Sequence, residues 1–160
     1  MRLSGSCHCG SIRFSLDSKT YYPFNRCYCS ICRKTTGAGG YAINLMADAG
    51  SLEFEDPHGR KKLYHAITDG KESPAERHFC GNCGSHLWLW DPRWPDLIHP
   101  LAAAIDTPLP KTPETVHLML ASKAEWVDVP DGENHKHFDQ YPEHSIDDWH
   151  KLHGLKEGET

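Results

Sequence analysis

The segment Cys27-Tyr28-Cys29-Ser30-Ile31-Cys32-Arg33-Lys34 contains three thiols within six residues. The other four cysteines form two close pairs, Cys7-His8-Cys9 and Cys80-Gly81-Asn82-Cys83, so every cysteine belongs to one of two groups. Four thiolates complete a structural zinc site, whereas three leave an open coordination position that is typical of catalytic zinc. The pattern therefore predicts two zinc ions per chain, one on a four-thiol cluster and one on a three-thiol cluster.

The four-thiol cluster would join distant parts of the chain, because Cys9 and Cys80 are 71 residues apart. A zinc ion can offset the entropy cost of closing such a loop, since this cost grows slowly with length. Gly10 and Gly84 follow the two pairs, where a glycine relieves crowding as backbone amides turn toward the sulfurs. The alternative, two reduced thiol pairs without a metal, is disfavoured by the repeated close spacing.

The three-thiol cluster predicts a particular chemistry. Three thiolates give a zinc centre a net charge of minus one, which favours a soft fourth ligand such as a substrate thiolate. We expect capture and deprotonation of a thiol, or formation and cleavage of a carbon–sulfur bond, with zinc-activated water as the second choice. The alternative is a site closed by a histidine, for which the candidates are His78, His65 and His8.

Other residues near the cysteines allow two interpretations. Arg33 and Lys34 directly follow the three-thiol cluster and are either solvated cations or anchors for an anionic substrate. Trp88 and Trp90 alternate along a strand with His86, which predicts one shared face in the core or at an interface. The late histidines fit no standard zinc spacing and are predicted at the surface; they are His135, His137, His144, His150 and His153.

Length and composition favour an ordinary globular chain, predicted as one domain over residues 1–160. A net charge of -5 and the lack of a long basic run argue against nucleic-acid binding. No apolar stretch approaches the length that spans a membrane, and the N-terminus lacks the apolar core of a signal peptide. Seven cysteines in close groups suit a metal in the reducing cytoplasm better than disulfides, and the exposed edges of a small β protein make a homodimer an expectation.

The hydrophobic pattern predicts a mainly β protein. Short runs of alternating apolar and polar residues predict a series of strands, of which the first is Ser11–Leu16 and the last is Trp126–Val129. A polar loop is expected from Asp69 to Pro74. A short helical turn is predicted from Ser30 to Lys34, ended by the glycines from Gly37 to Gly40. A C-terminal helix over about 145–154 is predicted, because Ser145 and Asp148 match a capping box, and a frayed tail follows it.

The motifs around the cysteines resemble the glutathione-dependent formaldehyde-activating enzyme family, whose domain is shared with centromere protein V. Further similarity lies at Phe138 and Tyr141-Pro142, so the resemblance covers nearly the whole chain. The motifs that carry it are Gly5-Ser6-Cys7-His8-Cys9-Gly10, Cys27-x-Cys29-Ser30-x-Cys32-Arg33-Lys34-x-x-Gly37, Phe79-Cys80-Gly81-x-Cys83-Gly84-Ser85 and Ser122-Lys123-Ala124-Glu125-Trp126.

The resemblance implies a β fold of stacked antiparallel sheets, β-tent-like, with two zinc ions. The positions of Cys7, Cys9, Cys80 and Cys83 match ligands of the structural ion, and those of Cys27, Cys29 and Cys32 match ligands of the catalytic ion. The implied activity is that of a carbon–sulfur lyase in reverse, which joins formaldehyde to glutathione as S-hydroxymethylglutathione. The proton for the new alkoxide could come from His78, Tyr28 or water.

A second hypothesis is a non-catalytic, zinc-stabilised β module that binds a partner protein. A second site closed by His78 would favour the module, whereas an open position would favour the enzyme. The enzyme is the preferred hypothesis, because four thiolates already suffice to hold a domain of this size.

Overall fold

The computed structural model describes residues 1–36 and 38–158. The protein is mainly β, as predicted, and its described part contains three sheets and two α-helices. Gly37, which belongs to one of the motifs above and to the predicted end of the first helical turn, lies outside the described residues. The same holds for Glu159 and Thr160 of the predicted tail.

The first sheet joins β1 (Arg2–Ser6), β2 (Arg13–Asp17) and β6 (Glu53–Glu55), all antiparallel. Leu3 of β1 lies opposite Leu16 of β2, and both side chains are fully buried. The connection between β1 and β2 carries the first cysteine pair, so this hairpin fixes half of the four-thiol cluster.

The second sheet has five antiparallel strands. In spatial order they are β5 (Ala47–Asp48), β10 (Leu97–Pro100), β9 (His86–Trp90), β8 (Lys71–Cys80) and β7 (Lys61–Thr68). The hairpin between β7 and β8 turns on Asp69 and Gly70, which both have positive φ as a type I′ turn requires. The predicted polar loop from Asp69 to Pro74 is therefore wrong, because β8 already begins at Lys71.

The third sheet is mixed. Its order is β12 (His135–His137), β11 (Thr115–Leu118), β3 (Asn25–Cys27) and β4 (Ala42–Ile43). Strand β11 runs parallel to both β12 and β3, so the expected antiparallel pairing holds in the first two sheets and only in part here. The predicted strand at Trp126–Val129 is wrong, because this segment is a turn whose Val127 side chain packs against Gly40.

The two helices are short, and both were expected. Helix α1 (Ser30–Thr36) follows β3 and carries Cys32, while α2 (Ile146–Leu152) begins after the predicted capping box between Ser145 and Asp148. The tail after α2 was predicted to be frayed, but its described part, up to residue 158, is attached to the rest of the protein. The Glu157 amide donates a hydrogen bond to the Lys19 carbonyl, and the Glu157 carboxylate pairs with the N-terminal amine.

The core reaches both cysteine clusters. Cys7, Cys27, Cys32 and Cys80 belong to one apolar cluster, together with the β-strand side chains and Trp149 of α2. The ring of Trp149 stacks on Phe24, with 3.8 Å between the ring centroids. In the part of the chain that the structure describes, no helix is long and apolar enough to cross a membrane.

One predicted surface histidine is a core residue. His150 is fully buried; its Nδ1 lies 2.7 Å from the Ile146 carbonyl, and its Nε2 accepts a hydrogen bond from the Tyr22 amide at 3.1 Å. The helical pattern hides this role, because His150 lies beside Trp149 on the face of α2 that packs inward.

Candidate metal centres and active site

The four-thiol cluster has the geometry of a closed metal site. The Sγ atoms of Cys7 and Cys9 are 3.6 Å apart, and those of Cys9 and Cys80 are 3.8 Å apart. With Cys83, all four sulfurs lie within 4.8 Å of one another. Zinc–sulfur bonds of about 2.3 Å in a tetrahedron give sulfur separations of about 3.8 Å, whereas a disulfide needs about 2.05 Å. The four residues therefore fit a tetrahedral zinc ion, and their thiols are free.

The backbone around the four-thiol cluster turns as the glycines predict. Gly10 and Gly84 both have positive φ, at 71° and 77°. The amide of Ile12 donates to the sulfur of Cys7 at 3.3 Å. Hydrogen bonds from the side chains of Asn82 and Ser11 lower the pKa of Cys9 to about 5, so a thiolate is favoured here.

The three-thiol cluster lies where a strand meets a helix. Cys27 ends β3, Cys29 immediately precedes α1, and Cys32 lies in the first turn of α1. Their sulfurs lie within 4.8 Å of one another. Cys27 and Cys32 are buried while Cys29 is half-buried, so the cluster is most accessible to solvent at Cys29. Hydrogen bonds from the other two thiols lower the pKa of Cys29 and make it the first of the three to ionise.

No fourth protein ligand joins these three sulfurs among residues 1–36 and 38–158. The ring nitrogens of His78 lie 3.0 Å from the Glu76 carboxylate and 3.4 Å from the Lys61 amine, and its ring stacks on Trp88. His65 contacts backbone carbonyls of its own hairpin, and His8 is exposed beside the four-thiol cluster. The three thiols thus fit a zinc site with an open position.

The hydroxyl of Tyr28 also has a hydrogen-bond partner away from the three thiols. Although it lies between two cysteines, Tyr28 is fully buried and its Oη lies 2.8 Å from Nδ1 of His117. The opposite nitrogen of His117, Nε2, lies 2.9 Å from Nδ1 of His135. These contacts form a line of polar groups under the third sheet, from Tyr28 to the half-buried His135.

The two predicted substrate cations differ in their environments. Arg33 is half-buried, and its Nε has no hydrogen-bond partner in the described structure, whereas Lys34 is exposed. Two further residues enter this region from distant parts of the sequence. The side chain of Arg77 acts electrostatically on the thiol of Cys32. Desolvation, and then the charges of the three cysteines, raise the pKa of Tyr141.

A β-bulge in β9 changes the direction of one side chain. Trp88 lies opposite His78, but His86 lies opposite Phe79, so Leu87 is an extra residue between them. Because facing residues share a side of the sheet, His86 points to the side of Phe79 and Arg77, away from Trp88. The prediction that His86 shares a face with Trp88 is therefore wrong.

That side of the sheet contains a cavity of about 330 Å³. The cavity lies between α1 and strands β7 to β9, and its lining residues are Thr35, Leu63, Tyr64, Arg77, Phe79, Gly84 and His86. A larger cavity of about 680 Å³ lies between the two ends of the chain. No cysteine lines either cavity, but Thr35 of the smaller one lies on α1 together with Cys32, so we associate the smaller cavity with the chemistry of the three-thiol cluster.

Arg77, His86 and Tyr141 were not predicted as site residues. Arg77 precedes Cys80 by three positions, but only the strand pairing shows which way its side chain points. The position of His86 depends on the bulge, which has no local signature in the sequence. Tyr141 lies in a segment that resembles the family, and this was the one available signal.

Comparison with known proteins agrees with the fold and the clusters. The family profile described as "Glutathione-dependent formaldehyde-activating enzyme" matches residues 2–122. A protein of Halomonas elongata, named "Putative glutathione-dependent formaldehyde-activating enzyme", is 56% identical over 160 residues, which cover 99% of this chain and all of that protein. A crystal structure of a Rhodobacter sphaeroides protein has a TM-score of 0.53 at 25% identity, covering 67% of this chain and 91% of that one.

The fold and the two clusters define a mainly β protein built around two groups of thiols with the geometry of metal sites. Within that class, the chain belongs to the glutathione-dependent formaldehyde-activating enzyme family, because the family profile covers most of it.

Proposed function

We propose that the protein is a zinc-dependent enzyme that adds formaldehyde, or a similar small aldehyde, to glutathione or a related thiol. In the opposite direction this reaction is a carbon–sulfur lyase reaction. The observation that carries the proposal is the three-thiol cluster, which no fourth protein ligand joins among the described residues. The names of the family and of the Halomonas elongata relative support the choice of thiol and aldehyde.

The residues divide into two roles. Cys7, Cys9, Cys80 and Cys83 would hold a structural zinc ion, and Cys27, Cys29 and Cys32 a catalytic one. When bound, the catalytic ion supplies a soft Lewis acid that favours the thiolate form of a substrate thiol at neutral pH. The half-buried side of the cluster at Cys29 admits the substrate, and the buried Cys27 and Cys32 fix the cluster to the core.

The reaction needs no oxidant or reductant. The thiol loses its proton, its sulfur forms a bond to the carbonyl carbon of formaldehyde, and the carbonyl oxygen takes up one proton. We propose that water supplies this proton, because the other two candidates have partners already. The Tyr28 hydroxyl is buried against His117, and the His78 ring contacts Glu76 and Lys61.

The chemistry of the thiols also indicates the cellular compartment and the binding partners of the protein. Seven free thiols suit a reducing compartment, so we place the enzyme in the cytoplasm. Its partner is a small-molecule thiol, and the acidic net charge makes nucleic acid a poor partner. The expectations of a homodimer and of one domain over residues 1–160 stay predictions. A second site closed by His78 would favour the alternative of a non-catalytic binding module, but His78 does not join the three thiols in the described structure.

The experiment that tests the proposal is a calorimetric titration of glutathione into zinc-loaded protein, followed by an assay of S-hydroxymethylglutathione formation. We expect binding at one site per chain, and we expect Cys32→Ala to lose both the binding heat and the turnover. Turnover that survives in Cys32→Ala with one zinc ion per chain would contradict the proposal.

A further inference from the structure

We propose that Arg77 and His86 form a subsite beside the three-thiol cluster that holds a carboxylate of the substrate thiol, so that these two residues determine which thiols the site accepts. This inference rests on the proposed function, because it names the class of thiol that the same site accepts.

The subsite lies in a defined cavity. Arg77 and His86 line the cavity of about 330 Å³, and each is only 9% exposed. Cavities of this size commonly hold small ligands or parts of larger ones, with apolar walls and a few polar groups. Tyr64, which faces Arg77, and Phe79 provide aromatic wall on this side of the sheet, which suits the aliphatic and amide portion of a ligand between its sulfur and its carboxylate.

Arg77 is a buried cation that has no carboxylate partner among the described residues. Its Nε is buried and has no hydrogen-bond partner, and no carboxylate lies within ion-pair distance of its guanidinium among residues 1–36 and 38–158. Burying a guanidinium without a paired anion is costly. Arginine is also the side chain whose fork of N–H groups best matches a carboxylate. The missing partner is therefore an anion that comes from outside the chain.

His86 supplies the second unpaired group. Both of its ring nitrogens are buried, and neither has a partner with hydrogen-bond geometry in the described structure; the Trp88 backbone acts only weakly on the ring. Burial, together with the charge of Arg77, lowers the pKa of His86 to about 4, so its ring is neutral at neutral pH and carries one N–H donor. Buried polar groups without partners are uncommon in native proteins, and they require an explanation. A carboxylate held by Arg77 would accept this hydrogen bond as well.

The bulge in β9 is what brings the two groups together. In a regular strand without the bulge, His86 would lie two positions from Trp88 and on the same face, opposite the cavity. Bulges are frequent next to active sites, where they redirect a side chain. The fold thus places an unpaired histidine beside an unpaired arginine. This arrangement lowers the stability of the protein and creates a binding site.

The subsite adjoins the thiols through α1. Thr35 lines the cavity, and Cys32 lies three residues earlier in the same helix, so the two side chains occupy neighbouring positions on one helix face. The electrostatic action of Arg77 on the Cys32 thiol agrees with this proximity. Arg77 as a simple counter-charge for the thiolates would not account for the cavity or for the unpaired ring of His86.

The test separates the carboxylate from the sulfur. The probe is S-methylglutathione, whose blocked sulfur keeps both carboxylates, and its diethyl ester is the comparison ligand. Both are titrated into the zinc-loaded protein by calorimetry. The variants are Arg77→Gln and His86→Phe, and the matched control is Arg60→Gln, because Arg60 is exposed and lines neither cluster nor cavity.

We expect S-methylglutathione to bind the wild type and Arg60→Gln equally. We expect Arg77→Gln to weaken binding by about tenfold to a hundredfold, as loss of a charge-assisted hydrogen bond does. Esterification should weaken binding to the wild type by a similar factor. In turnover with formaldehyde, the loss caused by Arg77→Gln should be at least tenfold larger with glutathione than with cysteamine, which has no carboxylate.

His86→Phe keeps the inference falsifiable if Arg77→Gln fails to fold. Phenylalanine keeps the ring and removes both unpaired nitrogens, so we expect a higher Tm together with weaker binding of S-methylglutathione. A purely structural histidine would give a lower Tm on the same change.

Equal binding of S-methylglutathione by wild type and both variants would overturn the subsite, as would equal losses with glutathione and cysteamine. If the wild type turns over no thiol but still binds S-methylglutathione through Arg77, the proposed function fails and the subsite stands.

Discussion

The hydroxyl of Tyr28 lies 2.8 Å from Nδ1 of His117, although the two residues are 89 positions apart and both are fully buried. Tyr28 lies between two proposed zinc ligands, so this hydrogen bond ties the three-thiol cluster to β11. Either partner alone would be a buried polar group without its hydrogen bond, and such groups cost about 1–3 kcal/mol.

The first prediction concerns this pair. Tyr28→Phe and His117→Phe should each lower the free energy of unfolding of the zinc-loaded protein by about 1–3 kcal/mol. The double variant should be less destabilised than the sum, because the two losses share one interaction. Urea unfolding at fixed zinc content measures all three values, and strictly additive values would show that the bond carries no coupling.

The second prediction concerns pH. Burial, with the charge of Arg77, lowers the pKa of His86 to about 4, below the value of about 6.5 in an unfolded chain. Between these values the unfolded chain binds a proton that the folded protein does not, so stability falls as pH decreases from about 6.5 to about 4. This contribution amounts to at most about 3 kcal/mol.

His86→Phe isolates this effect, because the zinc ligands are the same in both proteins. The difference in unfolding free energy between variant and wild type should increase as pH falls through that range. A difference that is constant from pH 7 to pH 4.5 would show that His86 titrates normally in the folded protein.

The third prediction separates the two clusters. Cys83→Ser should lower the zinc content from two ions per chain to one and should strongly reduce thermal stability, because this cluster joins β1 to β8. Cys32→Ser should lose the other ion and the turnover while the protein keeps most of its Tm. Metal analysis and calorimetry of both variants check this, and equal losses of Tm would contradict the division of roles.

The fourth prediction concerns the cations of α1. Arg33 is half-buried with an unpaired Nε, so Arg33→Gln should raise KM for glutathione several-fold. Lys34 is exposed, and an exposed charge contributes little through salt-screened water, so Lys34→Gln should change KM by less than about twofold. Steady-state kinetics at two salt concentrations measures both, and equal effects would assign the two cations the same role.

The fifth prediction concerns the proton. His78→Gln should leave kcat within about twofold of the wild type, because we propose water as the donor and because the described contacts of His78 are with Glu76, Lys61 and Trp88. A general acid contributes about 10²-fold or more. A loss of that size with unchanged zinc content would make His78 the donor instead.

The cysteine clusters could be predicted because ligand spacing is largely a local property. Cys27, Cys29 and Cys32 converge through one strand end and one helical turn, and the two pairs of the other cluster each need only a short turn. The capping box at Ser145 could be predicted for the same reason, since all of its contacts lie within three residues.

The remaining features depend on contacts that are distant in sequence. The parallel pairing of β11 with β3 joins Val116 to Asn25, and nothing in either short strand indicates the other. The proposed carboxylate subsite depends on the bulge at Leu87, which no neighbouring residue in the sequence indicates. The hairpin at Asp69-Gly70 was predictable, because Asp-Gly is a strong turn signal, but the charged residues after it favoured a loop.

The four-thiol cluster also sets an order of events during synthesis. The chain leaves the ribosome from its N-terminus at about 5–20 residues per second, so Cys7 and Cys9 emerge about 4–14 seconds before Cys80 and Cys83, which lie some 71 positions later. The three thiols of the other cluster emerge almost together. The newborn chain can therefore take up the metal proposed for the three-thiol cluster first, and during that interval Cys7 and Cys9 are exposed to oxidants and to competing metals.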